Sequence, residues 1–124
     1  MNREGFFKAI LTVLFLCCST VSAADRLVPS EYPTIQSAID AAVNGDTVII
    51  APGTYTGSGN RDIDFKGKAI TVRSTDPNDP NIVNTTIIDC NGMWDDPHRG
   101  FYFHSGEDAN SVLVGLTIQN GYGV

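Results

Sequence analysis

Cysteine is scarce in this chain. Three are present in 124 residues, and two of them, Cys17 and Cys18, lie in the apolar amino-terminal stretch. Cys90 is left alone in the body. A single thiol forms no intrachain disulfide, so a disulfide scaffold is excluded and Cys90 reads as a small buried residue. Histidine is rarer still. His98 and His104 are the only two, and neither stands in a pattern with Cys90 that would activate a thiol. Basic residues are also few, with eight Lys and Arg against fourteen Asp and Glu, a net charge of −6. An acidic chain argues against nucleic acid and against anionic membrane surfaces as partners. It also argues against direct binding of polyanionic sugars unless a cation bridges. Long apolar runs are missing, since Ala9 to Cys18 (AILTVLFLCC) is too short to span a bilayer. Helical periodicity is missing after Val43.

What is present begins with a targeting pattern. Arg3 and Lys8 form a short basic region diluted by Glu4. The apolar core Ala9 to Cys18 follows. Val21-Ser22-Ala23 then fits a small-residue cleavage site before Ala24. The order, length and flanks predict a secretory signal peptide over residues 1–23. Leu14-Phe15-Leu16 are too bulky for a lipid-attachment signal at Cys17. Cleavage removes Arg3, Lys8 and Glu4 and leaves six basic against thirteen acidic residues, −7. The predicted destination is secreted, periplasmic or cell-surface, with no membrane span after cleavage. Residues 24–124 are expected to form one domain.

Order in that domain starts at Pro33. Tyr32 precedes a proline and is pushed towards extended geometry, so Thr34 is placed to cap a helix. Ile35, Ala38, Ile39, Ala42 and Val43 fall at helical spacing on one face, with Gln36, Ser37 and Asp40 on the other. Asn44-Gly45 is expected to stop the helix in the left-handed conformation. So short a helix does not persist alone in water, and its stripe must dock on something. Thr47 to Ile50 (TVII) is a β-branched run suited to a strand buried on both sides or in a parallel sheet. Pro52-Gly53 ends it.

Beyond Tyr55 only short apolar runs appear, each closed by turn residues. They are Ile63 with Phe65, Ala69 to Val72, Thr86 to Ile88, Phe101 to Phe103, Val112 to Val114 and Leu116 to Ile118. Asp76 to Asn81 reads as an excursion of Asx turns with no helix or central-strand capacity. Met93 to Gly100 reads as a second excursion, with Trp94 folded over its edge. The body therefore predicts as all-β. An antiparallel sandwich and a stacked solenoid both fit short strands. The close spacing, the repeated Asn-Gly closures at Asn91-Gly92 and Asn120-Gly121, and a single helix ahead of all the strands favour the solenoid. Asn91 and Asn120 are then candidates for an inward asparagine ladder. Ile70, Ile88 and Ile118 recur at intervals of 18 and 30, the longer interval absorbing the Met93 to Gly100 excursion. The expected fold class is an all-β, right-handed parallel β-helix with a short amino-terminal capping α-helix. No matching cap is visible near Val124, so the expectation is a fragment whose open end takes further coils or a partner chain.

The segment YPTIQSAIDAAVNGDTVIIAPGTY resembles the entry to right-handed parallel β-helix proteins of the pectin-lyase-like superfamily. KAITVRSTDPNDPNIVNTTIIDCNG and SVLVGLTIQNG resemble the first coils of secreted bacterial β-helix repeat proteins. The resemblance implies the fold and no single activity, because that superfamily holds polysaccharide lyases, hydrolases, epimerases, adhesins and proteins without known activity.

Four aspartates are the candidate metal ligands. Asp62 and Asp64 alternate along one strand, which places their carboxylates on one face. Asp95 and Asp96 open the stretch DDPHR. Carboxylates of this kind hold calcium, although calcium takes six to eight oxygens, and the simpler reading of both pairs is a solvated surface. The resemblance implies that the family's hydrolases pair aspartates with further Asp, His and basic residues on adjacent coils, and that its lyases use calcium-binding aspartates and an arginine from the middle coils. None of those motifs is here, so no catalytic residue is assigned. Asn84-Thr85-Thr86 is a glycosylation sequon. The expected function is an extracellular scaffold or a carbohydrate- or surface-binding segment without a catalytic site of its own. The alternatives are the amino-terminal part of a polysaccharide-active enzyme, most readily a pectate-lyase-like one, and a surface adhesin passenger.

Overall fold

The computed structural model describes residues 22–123. The predicted signal peptide, apart from Ser22 and Ala23, lies outside the described residues. Along the described chain run β1 (Asp25–Val28), α1 (Ile35–Ala41), β2 (Thr47–Ile50), β3 (Gly53–Tyr55), β4 (Ile63–Asp64), β5 (Thr71–Ser74), α2 (Pro80–Thr85), β6 (Thr86–Asp89), β7 (Phe101–Tyr102), β8 (Val112–Val114) and β9 (Thr117–Gln119). All pairings between these strands are parallel. They form three sheets, ordered β1-β2-β5-β8, β3-β6-β9 and β4-β7. From β2 onward, successive strands go to the first, second and third sheet in turn. No helix among the described residues is long and apolar enough to cross a membrane.

This corrects the expected fold class. The three sheets are short and separate and do not close into a solenoid, and two helices lie among the strands, so the class is a mixed α/β arrangement rather than an all-β right-handed β-helix. The unpredicted helix is α2. Asp79 caps it by accepting the Asn81 N–H at 2.9 Å, and Pro80 opens it. Proline at the first helical position lacks only an N–H that would be unpaired there. Six residues held by a cap and a proline show no apolar period, and none of the six is buried.

The core lies where α1 packs against the strands. Thr34 and Ser37 cap α1 reciprocally. The Thr34 hydroxyl accepts the Ser37 N–H at 3.1 Å, and Ser37 Oγ accepts the Thr34 N–H at 3.2 Å, satisfying two amino-terminal donors. Ile35, Ala38 and Ile39 are wholly buried, and Ala42 nearly so. They meet Val28, Val48, Ile50, Ile63, Phe65, Ile70, Val72 and Ile88 in one cluster. Burying a side chain such as Ile39 contributes ~1.5–3 kcal/mol. Lys68 Nζ closes the other end of α1, donating to the carbonyls of Ile39 (2.7 Å), Asp40 (3.0 Å) and Ala42 (2.7 Å). An ammonium has three N–H groups, so each reaches one of the carbonyls at the helix's exit.

Val43 departs from its predicted place on the stripe. The helix ends at Ala41, and Ala42 is already extended at φ −72° and ψ 149°. Val43 swings out to 51% exposure, while its N–H is taken by the Asp46 carboxylate at 3.0 Å. Asp46 is 2% exposed and also accepts from Ala24 N at 2.9 Å and Arg26 Nε at 3.0 Å. Arg26 Nη2 lies 2.9 Å from the same oxygen. The Ala24 and Val43 amides, together with Arg26, outweigh burial and hold the Asp46 carboxyl below its ordinary pKa.

Other expectations shift in detail. β2 buries Val48 and Ile50, while Thr47 and Ile49 are half-buried, so one face rather than both carries the core. Asn91 and Asn120 take left-handed turns at φ 47° and 55° but are exposed and form no inward ladder. Trp94 is 78% exposed and covers no edge. The interval from Ile88 to Ile118 is a true parallel register. Ile70 is not part of it, because Ile88 instead faces Tyr55 on its other side.

Ile39→Ala is expected to cost about 2–5 kcal/mol, whereas Val43→Ala is expected to stay within about 0.5 kcal/mol, both read from urea midpoints. Asp46→Ala, which strips the partner from Arg26 and from two backbone N–H groups, is expected to cost about 3–5 kcal/mol at neutral pH. Asp46 has a folded pKa below its unfolded one. Its contribution is therefore complete above about pH 3.9 and declines as pH falls further, through the folded value. The gap between wild type and Asp46→Ala should accordingly narrow in acid.

Candidate functional site

A cleft of about 330 Å³ opens between the start of α1, the loop after β3 and the segment leading into β7, lined by Gln36, Ser58, Gly59, Arg61, Asp62 and His98. Its floor is built by side chains that replace strand partners. Gln36 Oε1 accepts the Asp64 N–H at 2.8 Å, and its Nε2 donates to the Asp64 carbonyl at 2.9 Å. The amide thus pairs the free edge of β4 as a neighbouring strand would. The loop is pinned to the head of α1 by Gln36 N–H to Gly59 O (2.9 Å) and Ile35 N–H to Asn60 Oδ1 (3.0 Å). Gly59 sits at φ 87°, and a Cβ there would stand 2.8 Å from Thr34 Oγ1, so both the turn and the close approach require glycine.

The cleft's wall is Asp62. At φ 50° it is left-handed, just ahead of β4 rather than in it. Its N–H donates to Arg99 O at 2.6 Å, and Ile63 N–H donates to Gly100 O at 2.9 Å. These bonds extend the β4–β7 pairing back to the 98–100 segment. The Asp62 carboxylate completes the latch, accepting Arg99 N–H at 2.9 Å and His98 Nδ1–H at 2.6 Å. With that proton directed at Asp62, His98 Nε2 faces Asp96 Oδ1 at 3.2 Å. No hydrogen bond forms there, and Nε2 is buried without a partner among the described residues. Partial burial raises the Asp62 pKa, but the Arg99 amide and His98 overcome it, and the carboxyl is held below its ordinary value. Arg61 spends one N–H on the Cys90 carbonyl at 3.1 Å. A guanidinium carries five.

The four candidate aspartates are not brought to one point. Asp62 and Asp96 flank His98, whereas Asp64 pairs with His104 Nε2 at 3.2 Å. The His104 ring stacks on the Tyr102 ring at 4.0 Å, and the Arg99 guanidinium lies 4.5 Å from the centre of the Tyr102 ring. Asp95 is exposed. Among the described residues no three Asp, Glu, His or Cys side chains are arranged to hold a metal ion. Cys90 is wholly buried, and burial raises its thiol pKa, which keeps the sulfur protonated and unreactive.

Sequence reasoning found Asp62 and Asp96 but missed Gln36, Ser58, Gly59, Arg61 and the part played by His98. Asp62 and His98 are 36 residues apart. Only the β4–β7 register joins them, and that register has no local signature. No family model, curated protein or solved structure matches the chain.

Asp62→Asn is expected to cost about 0.5–1.5 kcal/mol at neutral pH, the range of one hydrogen-bonded group. Asp62 has a lowered folded pKa, so its contribution is present above the unfolded value of about 3.9 and is lost as pH falls through the folded one. Urea unfolding at neutral and at acid pH should show the wild-type advantage only in the first.

Proposed function

We propose that this chain is an extracellular segment that binds neutral carbohydrate in the cleft beside Asp62, without catalysing a reaction there. The observation that carries the reading is the polar lining of that cleft. Gln36, Ser58, Arg61, Asp62 and His98 converge on a space of about 330 Å³, within the range of small-ligand sites. A sugar presents hydroxyls that both donate and accept. The lining answers with spare guanidinium donors on Arg61, a serine hydroxyl and the remaining acceptor positions of a carboxylate. The Arg61 and Asp62 side chains are already fixed by bonds to the backbone, so little ordering cost falls on them at binding. The net charge of −6 and the Asp62 carboxylate in the wall favour an uncharged ligand over a polyanion. The extracellular setting rests on the amino-terminal pattern of residues 1–23.

Calorimetric titration with a panel of neutral oligosaccharides is expected to find a binder, and Arg61→Ala is expected to weaken that binder by roughly tenfold, the equivalent of a charge-assisted hydrogen bond. Binding that is indifferent to Arg61→Ala, or a panel with no binder, would contradict the assignment.

A further inference from the structure

The chain contains three Asn-Gly pairs, Asn44-Gly45, Asn91-Gly92 and Asn120-Gly121, and the fold treats them differently. Asn-Gly is prone to a spontaneous covalent change. The glycine nitrogen attacks the asparagine Cγ, a new N–Cγ bond forms, and the side-chain amide leaves as ammonia. Solvent water then opens the resulting succinimide at either carbonyl, giving aspartate or isoaspartate. Glycine speeds the ring closure because no side chain crowds the attacking nitrogen. The attacking nitrogen must also be free to move towards Cγ and shed its proton, and a backbone hydrogen bond opposes both.

Two of the three pairs are restrained in this way. Gly45 N–H donates to Ala69 O at 2.9 Å, and the Asn44 side chain is itself held by Ala69 N–H at 2.9 Å. Gly92 N–H donates to Asn120 O at 2.8 Å. Gly121 N–H has no acceptor among the described residues, and both Asn120 and Gly121 are exposed. Asn120 itself is held through its carbonyl, which accepts the Gly92 N–H, and through its side-chain Nδ2, which donates to Asp89 Oδ1 at 3.0 Å, but neither bond ties down the attacking Gly121 nitrogen. Asp89 is half-buried and accepts from Gln119 Nε2 (3.1 Å) and Asn91 N–H (3.0 Å) as well.

We propose that Asn120-Gly121 is the chain's site of spontaneous deamidation, and that Asn44 and Asn91 are protected by the hydrogen bonds of the glycines that follow them. The change is not neutral for the fold. It replaces the Nδ2 donor by a second carboxylate facing Asp89, at the point where β6 and β9 leave their paired register. Isoaspartate also lengthens the backbone by one carbon immediately beyond β9.

The test is peptide mapping by mass spectrometry after incubating the purified full chain in warm, mildly alkaline buffer, with the same incubation in concentrated urea as the unfolded control. Native chain is expected to convert Asn120 roughly fivefold faster than Asn44 or Asn91, the factor that one net backbone hydrogen bond provides. In urea the three rates are expected to converge. Equal native rates, a lead by Asn44 or Asn91, or the same ranking in urea would each overturn the proposal, the last by tracing the difference to neighbouring sequence rather than to the fold.

Discussion

The buried carboxylate of Asp46 is the interaction on which the rest of the arrangement depends. A charge taken out of water is tolerated only when its lone pairs are met, and four donors meet this one. Ala24 N–H brings in the chain just ahead of β1, Arg26 brings in β1 itself, and Val43 N–H brings in the exit of α1. The backbone carbonyl of the same residue accepts from Thr71 at the start of β5. One residue therefore sets, through its side chain and its backbone carbonyl together, where the helix stops and where β1, β2 and β5 begin to run together. The parallel register that follows, with Val48 beside Val72, is the continuation of that alignment.

A second consequence reaches the cleft. With α1 anchored at its exit by Asp46 and Lys68, its entrance is fixed over β4. Gln36 can then close the β4 edge, and Gly59 and Asn60 can bind the head of the helix. Asp62 is left facing outward ahead of β4, where it receives the 98–99 segment. The cleft is thus a by-product of covering a strand edge. Gln36 and Arg61 are positioned by bonds to the backbone, and Asp62 and His98 by a bond to each other.

The parts of this fold that were legible in the sequence are those set by near neighbours. Thr34 as cap, the buried stripe of Ile35, Ala38, Ile39 and Ala42, and the strand at Thr47 to Ile50 follow from spacing and side-chain chemistry alone. Val43 was misplaced because a tertiary contact, its N–H on Asp46, ends the helix before the periodic pattern does. Helix α2 was missed because a cap and a proline made it, without an apolar face. The all-β expectation failed with it, since repetition of short strands carried that inference and said nothing of what lies between them. The site was least legible of all. Asp62 stood out as half of an acidic pair with Asp64, yet its working partners are His98 and Arg99, and Asp64 belongs to a different pair with His104. Two-residue strands hold too little pattern to announce their pairing, so the β4–β7 register and everything it assembles emerge only in three dimensions.

The central claim is that the cleft walled by Asp62 is where this molecule meets its ligand. The most direct measurement is the amide spectrum of the isotopically labelled chain during titration with neutral oligosaccharides. The account predicts shift changes concentrated at Gln36, Ser58 to Asp62 and His98 to Arg99, with the amides of β8 and β9 unmoved. Changes centred on β8 and β9 instead, or spread evenly over the chain, would contradict it.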